Sequence, residues 1–314
     1  MFAAPTLHRS SRNSLFSLIL STTLGLGLAL AQPAAAQNEE GRYRPQGREI
    51  GTAVGREFQE TVYEVRIFDP QPDVAEFGGA TIFYPLTLSF APSYGAVVLV
   101  PGYRASQENY DWWGPALASV GLAVMILDTN APDDAFEARK QAHIAAVEFL
   151  KTENARADSP IRGRIDTNKI AIMGHSLGGG AALAAAVELG DSIKAVIPLL
   201  PYCCELGQSF TGNYANLTVP TLIFASAEDT VAAPDAHARA LYDSIASGTT
   251  RAYVEFAQGN HNMASNSGDD LMAMGRFALA WLKLTLDGKS NFTDVLSSPG
   301  DAWADKFSRF EFVP

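Results

Sequence analysis

Residues 169–189 constrain this chain more than any other stretch. The apolar run Lys169-Ile-Ala-Ile-Met173 passes without a break into Gly174-His175-Ser176-Leu177-Gly178-Gly179-Gly180, and an alanine-rich segment with helical spacing follows. A buried strand that turns at once into a helix through a Gly-flanked serine admits few folds. The turn forces the serine backbone into a strained conformation, and glycines at 174 and 178 leave out side chains that would collide there. The pattern G-x-S-x-G recurs by chance in many chains; its place between strand and helix gives it meaning here. The Ser176 hydroxyl then stands above the carboxyl edge of a sheet, at a helix N-terminus whose dipole favours negative charge.

The same alternation runs through the rest of the chain. Short continuous apolar runs at Ala96–Val100, Leu122–Leu127 (closed by Asp128), Ile193–Leu199 and Thr221–Ala225 have the signature of strands buried on both faces. Thr61–Phe68 and Ala80–Tyr84 lead in as strands, and Arg251–Phe256 closes the series. Helical periodicity fills the intervals at Asn109–Ser119, Ala135–Thr152, Gly178–Leu189, Asp235–Ile245 and Asp269–Leu286. Strands and helices joined by right-handed crossovers build a mostly parallel sheet with helices on both faces. With the serine turn, the expected fold class is α/β, of the α/β-hydrolase type. About twenty residues separate Ile193–Leu199 from Thr221–Ala225, too few for a helical lid domain. Residues 58–314 read as one domain, and the polar, Gly-, Arg- and Glu-rich stretch 37–57 as a flexible lead-in.

Residues 1–36 read as a secretory signal peptide. His8, Arg9 and Arg12 make a basic start, an apolar stretch runs from Leu15 to Leu30, and Ala34-x-Ala36 offers a cleavage site before Gln37. Ser21, Thr22, Thr23, Gly25 and Gly27 interrupt that stretch, which speaks against a membrane anchor. The expected location is therefore secreted or periplasmic. Hydrophobic residues make up 47% of the chain and charged ones 18%, enough for a substantial core. A formal net charge of −11 argues against nucleic acid or an anionic membrane surface as partner. The two cysteines, Cys203 and Cys204, are adjacent. Neighbouring Cα atoms lie about 3.8 Å apart, below the ~4.4–6.8 Å of an ordinary cystine, so the pair is either a strained vicinal disulfide or two thiols.

A serine hydroxyl attacks poorly unless a base takes its proton. Of five histidines, His8 leaves with the signal peptide and His143 lies inside the helix Ala135–Thr152. His175 points the wrong way for a base but is placed to line the pocket, and His237 sits on an exposed-looking helix. His261, on the loop after the last strand, remains as the expected base. The acid belongs between serine and histidine in chain order. Asp229 fits best, with Glu228 the nearest competitor and Asp128 a weaker alternative. An oxyanion hole requires two backbone N–H groups. Leu177 supplies one, and the loop Pro101-Gly-Tyr-Arg104 the other, through Tyr103, whose ring is also placed to wall an acyl pocket. This chemistry needs no cofactor and no metal.

These residues resemble the bacterial cutinase and polyester-hydrolase family, over about Phe77 to Gly288. The resemblance rests on Val100-Pro-Gly-Tyr103, Trp112-Trp-Gly-Pro115, Asp128-Thr-Asn130, the 174–180 turn, Val219-Pro-Thr-Leu-Ile-Phe224 and the two loops carrying Asp229 and His261. It implies a triad of Ser176, Asp229 and His261, an oxyanion hole from Tyr103 and Leu177, and a shallow, lidless groove. Tyr103, His175 and Tyr202 would bind substrate there, with Met263 a further candidate. Where family members carry a tryptophan on the groove floor this chain has Tyr202, and the family's C-terminal disulfide has no counterpart. The tail Asn291–Pro314 also differs. The expected activity is hydrolysis of carboxylic esters of polyesters or bulky acyl groups through an acyl-enzyme. A small-ester carboxylesterase or lipase is the alternative, and a catalytically silent binding protein a more distant one. The expected partner is an ester substrate, up to polymeric size, with no nucleic acid, no stable membrane anchor, and a monomeric state.

Overall fold

Alternate residues of the central strands enter opposite cores, which is why those strands read as unbroken apolar runs. In Tyr94–Val100 (β3), Val97 and Leu99 join one buried cluster, while Ala96, Val98 and Val100 join the other. Leu122–Asp128 (β4) divides the same way, with Leu122, Val124 and Ile126 on one side and Ala123, Met125 and Leu127 on the other. The computed structural model describes residues 45–87 and 94–314, all within one compact unit. Residues 1–36, with His8, and residues 37–44 of the expected lead-in lie outside the described residues.

Among the described residues one nine-stranded sheet forms the centre, in the order β1-β2-β4-β3-β5-β6-β7-β8-β9. The remaining strands are Glu64–Phe68 (β1), Gly79–Leu86 (β2), Ile165–His175 (β5), Ala195–Leu199 (β6), Thr221–Ser226 (β7), Arg251–Phe256 (β8) and Phe307–Val313 (β9). From β4 to β8 the neighbours run parallel; β1, β2 and β9 make the antiparallel margins. Helices cover both faces. Pro45–Glu57 (α1), Trp113–Ala118 (α2) and Leu271–Asp287 (α6) pack on one. Phe136–Ala155 (α3), Leu177–Leu189 (α4) and Ala238–Ser244 (α5) pack on the other, and the short Thr293–Ser297 (α7) packs beside α6. This is the doubly covered, mostly parallel sheet expected of the α/β-hydrolase fold. None of the helices among the described residues is long and apolar enough to cross a membrane.

Several expectations are corrected. The stretch 45–57 is a helix, not a flexible lead-in. Its glycines at 47, 51 and 55, spaced four residues apart, form a stripe that lets α1 press against α2 and the residues flanking it. A Cβ on Gly47 would lie 2.2 Å from the Trp112 carbonyl oxygen, one on Gly51 2.2 Å from that of Ala116, and one on Gly55 2.9 Å from Val120. Ile50 and Val54 complete the buried face. The helix expected over Asn109–Ser119 divides into a 3-10 turn, Gln107–Tyr110, and α2. That expected from Asp235 divides likewise at His237, whose backbone (φ −126°, ψ −85°) separates the turn Pro234–Ala236 from α5. The C-terminal strand β9 lies in the tail Asn291–Pro314, for which the sequence predicts no element. Its aromatic residues 307, 310 and 312 break period-two spacing because a register shift opposite Glu255 and Phe256 interrupts the ladder with β8.

Candidate active site

Ser176 caps α4 from the end of β5 with φ 54° and ψ −122°, a backbone state that non-glycine residues rarely hold. Its surroundings leave the turn no alternative. The Ser176 N–H donates to the Leu199 carbonyl (3.0 Å), and its carbonyl accepts from the N–H groups of Gly179 (2.9 Å), Gly180 (3.0 Å) and Tyr202 (2.8 Å). A Cβ on Gly174 would come within 2.2 Å of the Gly178 carbonyl oxygen, and one on Gly178 within 2.5 Å of the Val100 and Pro101 carbonyl oxygens. Both glycines are therefore structural requirements of the turn.

Three side chains named from the sequence meet above it. The Ser176 hydroxyl lies 2.8 Å from His261 Nε2, and His261 Nδ1 lies 2.7 Å from Asp229 Oδ2. A carboxylate only accepts, so Nδ1 carries the proton and Nε2 is left to accept from the hydroxyl. Asp229 Oδ1 accepts from the N–H groups of Val231 and Ala232, both at 2.9 Å. Burial works against the charged carboxylate, but the His261 hydrogen bond and charge, with those two N–H groups, outweigh it and hold the Asp229 carboxyl below its ordinary range. The competing acids are engaged elsewhere. Glu228 Oε2 accepts from the Gly259 N–H (3.2 Å), and Asp128 grips Gln107 through its backbone N–H (2.7 Å) and side-chain amide (2.6 Å).

Tyr103 lies in the loop after β3, next to Gly102, and Leu177 opens α4 directly after Ser176. The N–H of neither donates to a protein acceptor among the described residues. The loop carrying Tyr103 is clamped by Arg139, a fully buried residue that sequence reasoning missed. Its guanidinium donates to the carbonyls of Pro101 (2.9 Å), Pro132 (2.7 Å) and Asp134 (3.1 Å). The signal was an arginine among the inward-facing positions of α3. The histidine loop is pinned in a comparable way, since the neighbouring Trp112 and Trp113 rings both donate their indole N–H to the Ala264 carbonyl, at 3.0 and 3.1 Å.

Other expectations change. His175 does not line the groove: it is 3% exposed and both ring nitrogens are taken, by Tyr110 and by the His261 carbonyl. Burial, reinforced by the His261 charge, pushes its pKa down to about 3. Met263 is also buried, in the core beneath the histidine loop. His237 is not on an exposed face. It is buried against the Tyr202 ring, 4.2 Å between centroids, and its Nδ1 accepts from the Cys203 N–H at 3.2 Å. Tyr202 itself is half-buried, and its hydroxyl accepts from the Gly207 N–H (3.1 Å). Beyond it a cavity of about 450 Å³ is lined by Tyr202, Gln208, Phe210, Asp235, His237 and Ala240. Cys203 and Cys204 are joined as a vicinal disulfide, which closes the alternative left open by their adjacency. The β6–β7 connection, residues 200–220, contains no helix, so nothing there covers the site as a helical lid would. Among the described residues no group of three or more His, Cys, Asp or Glu side chains is arranged to hold a metal ion.

A family model for PET hydrolase-like proteins matches residues 56–311. The chain belongs to the PET hydrolase-like family. The match reaches beyond the span recognised from motifs, taking in β1 and most of β9 as parts of the PET hydrolase-like fold. Cutinase est1 of Thermobifida alba is 37% identical over 220 residues, 70% of this chain and 69% of the relative. Cutinase cut1 of Thermobifida fusca is 33% identical over 295 residues, 93% of this chain and 86% of the relative. Bis(hydroxyethyl) terephthalate hydrolase of Streptomyces coelicolor is 35% identical over 223 residues, 71% and 67% respectively.

Proposed function

We propose that this PET hydrolase-like chain cleaves polyester ester bonds through an acyl-enzyme on Ser176, with His261 as general base and acid and Asp229 as its partner. Family membership makes it a carboxylic ester hydrolase. The observation that carries the residue roles is the unbroken series from Ser176 Oγ to His261 Nε2 and from His261 Nδ1 to Asp229. In the first step His261 Nε2 takes the hydroxyl proton as Ser176 Oγ bonds to the ester carbon. The carbonyl oxygen becomes an oxyanion, held by the N–H groups of Tyr103 and Leu177 and favoured by the α4 N-terminus. Asp229 stabilises the imidazolium and holds its tautomer. The alcohol leaves with the proton from Nε2. Water, deprotonated by the same nitrogen, then attacks the acyl carbon and returns Ser176 to its hydroxyl form.

The open site suits a long chain that cannot thread into a closed pocket, and Tyr103 and Tyr202 supply aromatic contact beside it. Hydrolysis of p-nitrophenyl butyrate and of an aliphatic polyester emulsion, by the wild type and Ser176→Ala, tests the proposal. Loss of both activities in the variant is expected. Near-wild-type turnover by Ser176→Ala would overturn the mechanism, and activity on the soluble ester alone would reassign the enzyme as a small-ester carboxylesterase. Export, with the mature chain starting at Gln37, is part of the same proposal. The cystine at 203–204 favours an oxidising compartment. N-terminal sequencing of the exported protein reads the cleavage site directly.

A further inference from the structure

We propose that His175 is a positioning residue that ties the oxyanion loop to the loop carrying His261, so that one buried ring sets the distance between base and oxyanion donors. The proposal rests on the roles assigned above to Ser176, His261 and Tyr103.

The ring's hydrogen bonds run in one direction. His175 Nε2 lies 2.7 Å from the His261 carbonyl oxygen, which only accepts, so Nε2 carries the hydrogen. The ring is neutral, because burial disfavours its charge. Nδ1 is then an acceptor, and the Tyr110 hydroxyl, 2.8 Å away, must donate to it. That leaves the Tyr110 oxygen free to accept, and the Gly102 N–H donates to it at 3.3 Å. The series runs from Gly102 through Tyr110 and His175 to the backbone of His261. Gly102 precedes Tyr103, so one end is fixed to the expected oxyanion donor and the other to the base itself.

Packing supports the same reading. A Cβ on Gly102 would lie 3.0 Å from His175 Nδ1 and 3.0 Å from Ser176 Cβ, so the loop backbone rests directly on the ring and the nucleophile. The His175 ring also faces the His261 ring, 4.8 Å between centroids, and the Tyr110 ring, at 5.5 Å. Any one acceptor and one donor would satisfy a buried neutral histidine. Here the partners are the backbone of the base and, through one hydroxyl, the backbone next to the oxyanion donor. The elements so joined are far apart in sequence. Tyr110 lies 65 residues before His175, and His261 lies 86 after it.

The test compares Tyr110→Phe, His175→Leu, His175→Gln and the double variant Tyr110→Phe/His175→Leu. Turnover of p-nitrophenyl butyrate is measured well below each melting temperature, with inhibition by an alkyl boronic acid as the measure of transition-state binding. Tyr110→Phe and His175→Leu are expected to lower kcat by about tenfold or more and weaken boronate inhibition in parallel, with KM within about twofold. His175→Gln keeps an N–H for the His261 carbonyl and is expected to recover part of the loss. The double variant should be no worse than His175→Leu, because the hydroxyl acts through the ring. Wild-type kcat in Tyr110→Phe, which deletes a single hydroxyl, or losses that multiply in the double variant, would overturn the proposal. Labelling of Ser176 by a fluorophosphonate in the wild type separates the two failures. A labelled enzyme indifferent to these variants refutes the positioning role alone, and a wild type that does not label refutes the assigned mechanism beneath it.

Discussion

Asp229, Glu228 and Asp128 show how much a carboxylate's partners decide. All lie near strand ends, but only Asp229 meets the imidazole. Asp229→Asn is expected to lower kcat on a soluble ester by about 10⁴-fold, since an amide no longer enforces the Nδ1–H tautomer. Glu228→Gln should stay within about tenfold, because its carboxylate only accepts one N–H at the rim of the loop. Steady-state kinetics on purified variants separate the two. Ser176, Asp229 and His261 were legible because each sits at a strand end whose place in the fold follows from the alternation of elements. The two nitrogens of His175 were not, since both partners come from segments remote in sequence. His237 is hidden for a related reason: its segment has an exposed-looking pattern, but the loop bearing Tyr202 folds over it.

Among the elements, α1 and α3 carry structure that composition hid. The glycines of 45–57 resemble a linker when counted and a packing stripe when spaced. Gly51→Val is expected to destabilise by roughly 1–3 kcal/mol or more through contact with α2, read as a fall in melting temperature, while kcat at 25 °C holds. The helix α3 holds the loop carrying Tyr103 through Arg139. Arg139→Met keeps the bulk, strands the carbonyls of Pro101, Pro132 and Asp134, and should lower both melting temperature and kcat. An unchanged kcat in a folded Arg139→Met would show that the loop holds its shape without the clamp. Parallel strands were readable because burial on both faces leaves an unbroken apolar run. The marginal strand β9 was not, because it is only partly buried and its ladder shifts register.

At the scale of the whole molecule, acid has one dominant direction of effect. His143, buried under the turn with Nε2 3.0 Å from the Gly178 carbonyl oxygen, has its pKa pushed down by burial to about 4, and His175 to about 3. In the unfolded chain both return to about 6.5, so below that pH the unfolded state binds more protons and stability falls. The loss continues until the pH reaches the folded values, at about 1.4 kcal/mol per pH unit for each group between its two pKa values. Asp229, held low, adds a loss of the same sign in more acidic solution. Calorimetry should show the melting temperature dropping from pH 7 to pH 5, with a shallower slope in His143→Gln; a flat profile would contradict the buried neutral rings. The vicinal cystine belongs to a different account. A bond between consecutive residues encloses no intervening chain, so it restricts the unfolded ensemble far less than a cross-link spanning a hundred residues. Protein made in a reducing cytoplasm should therefore tolerate heat nearly as well as protein made in an oxidising one, and the choice of production host is freed from the need to form the bond.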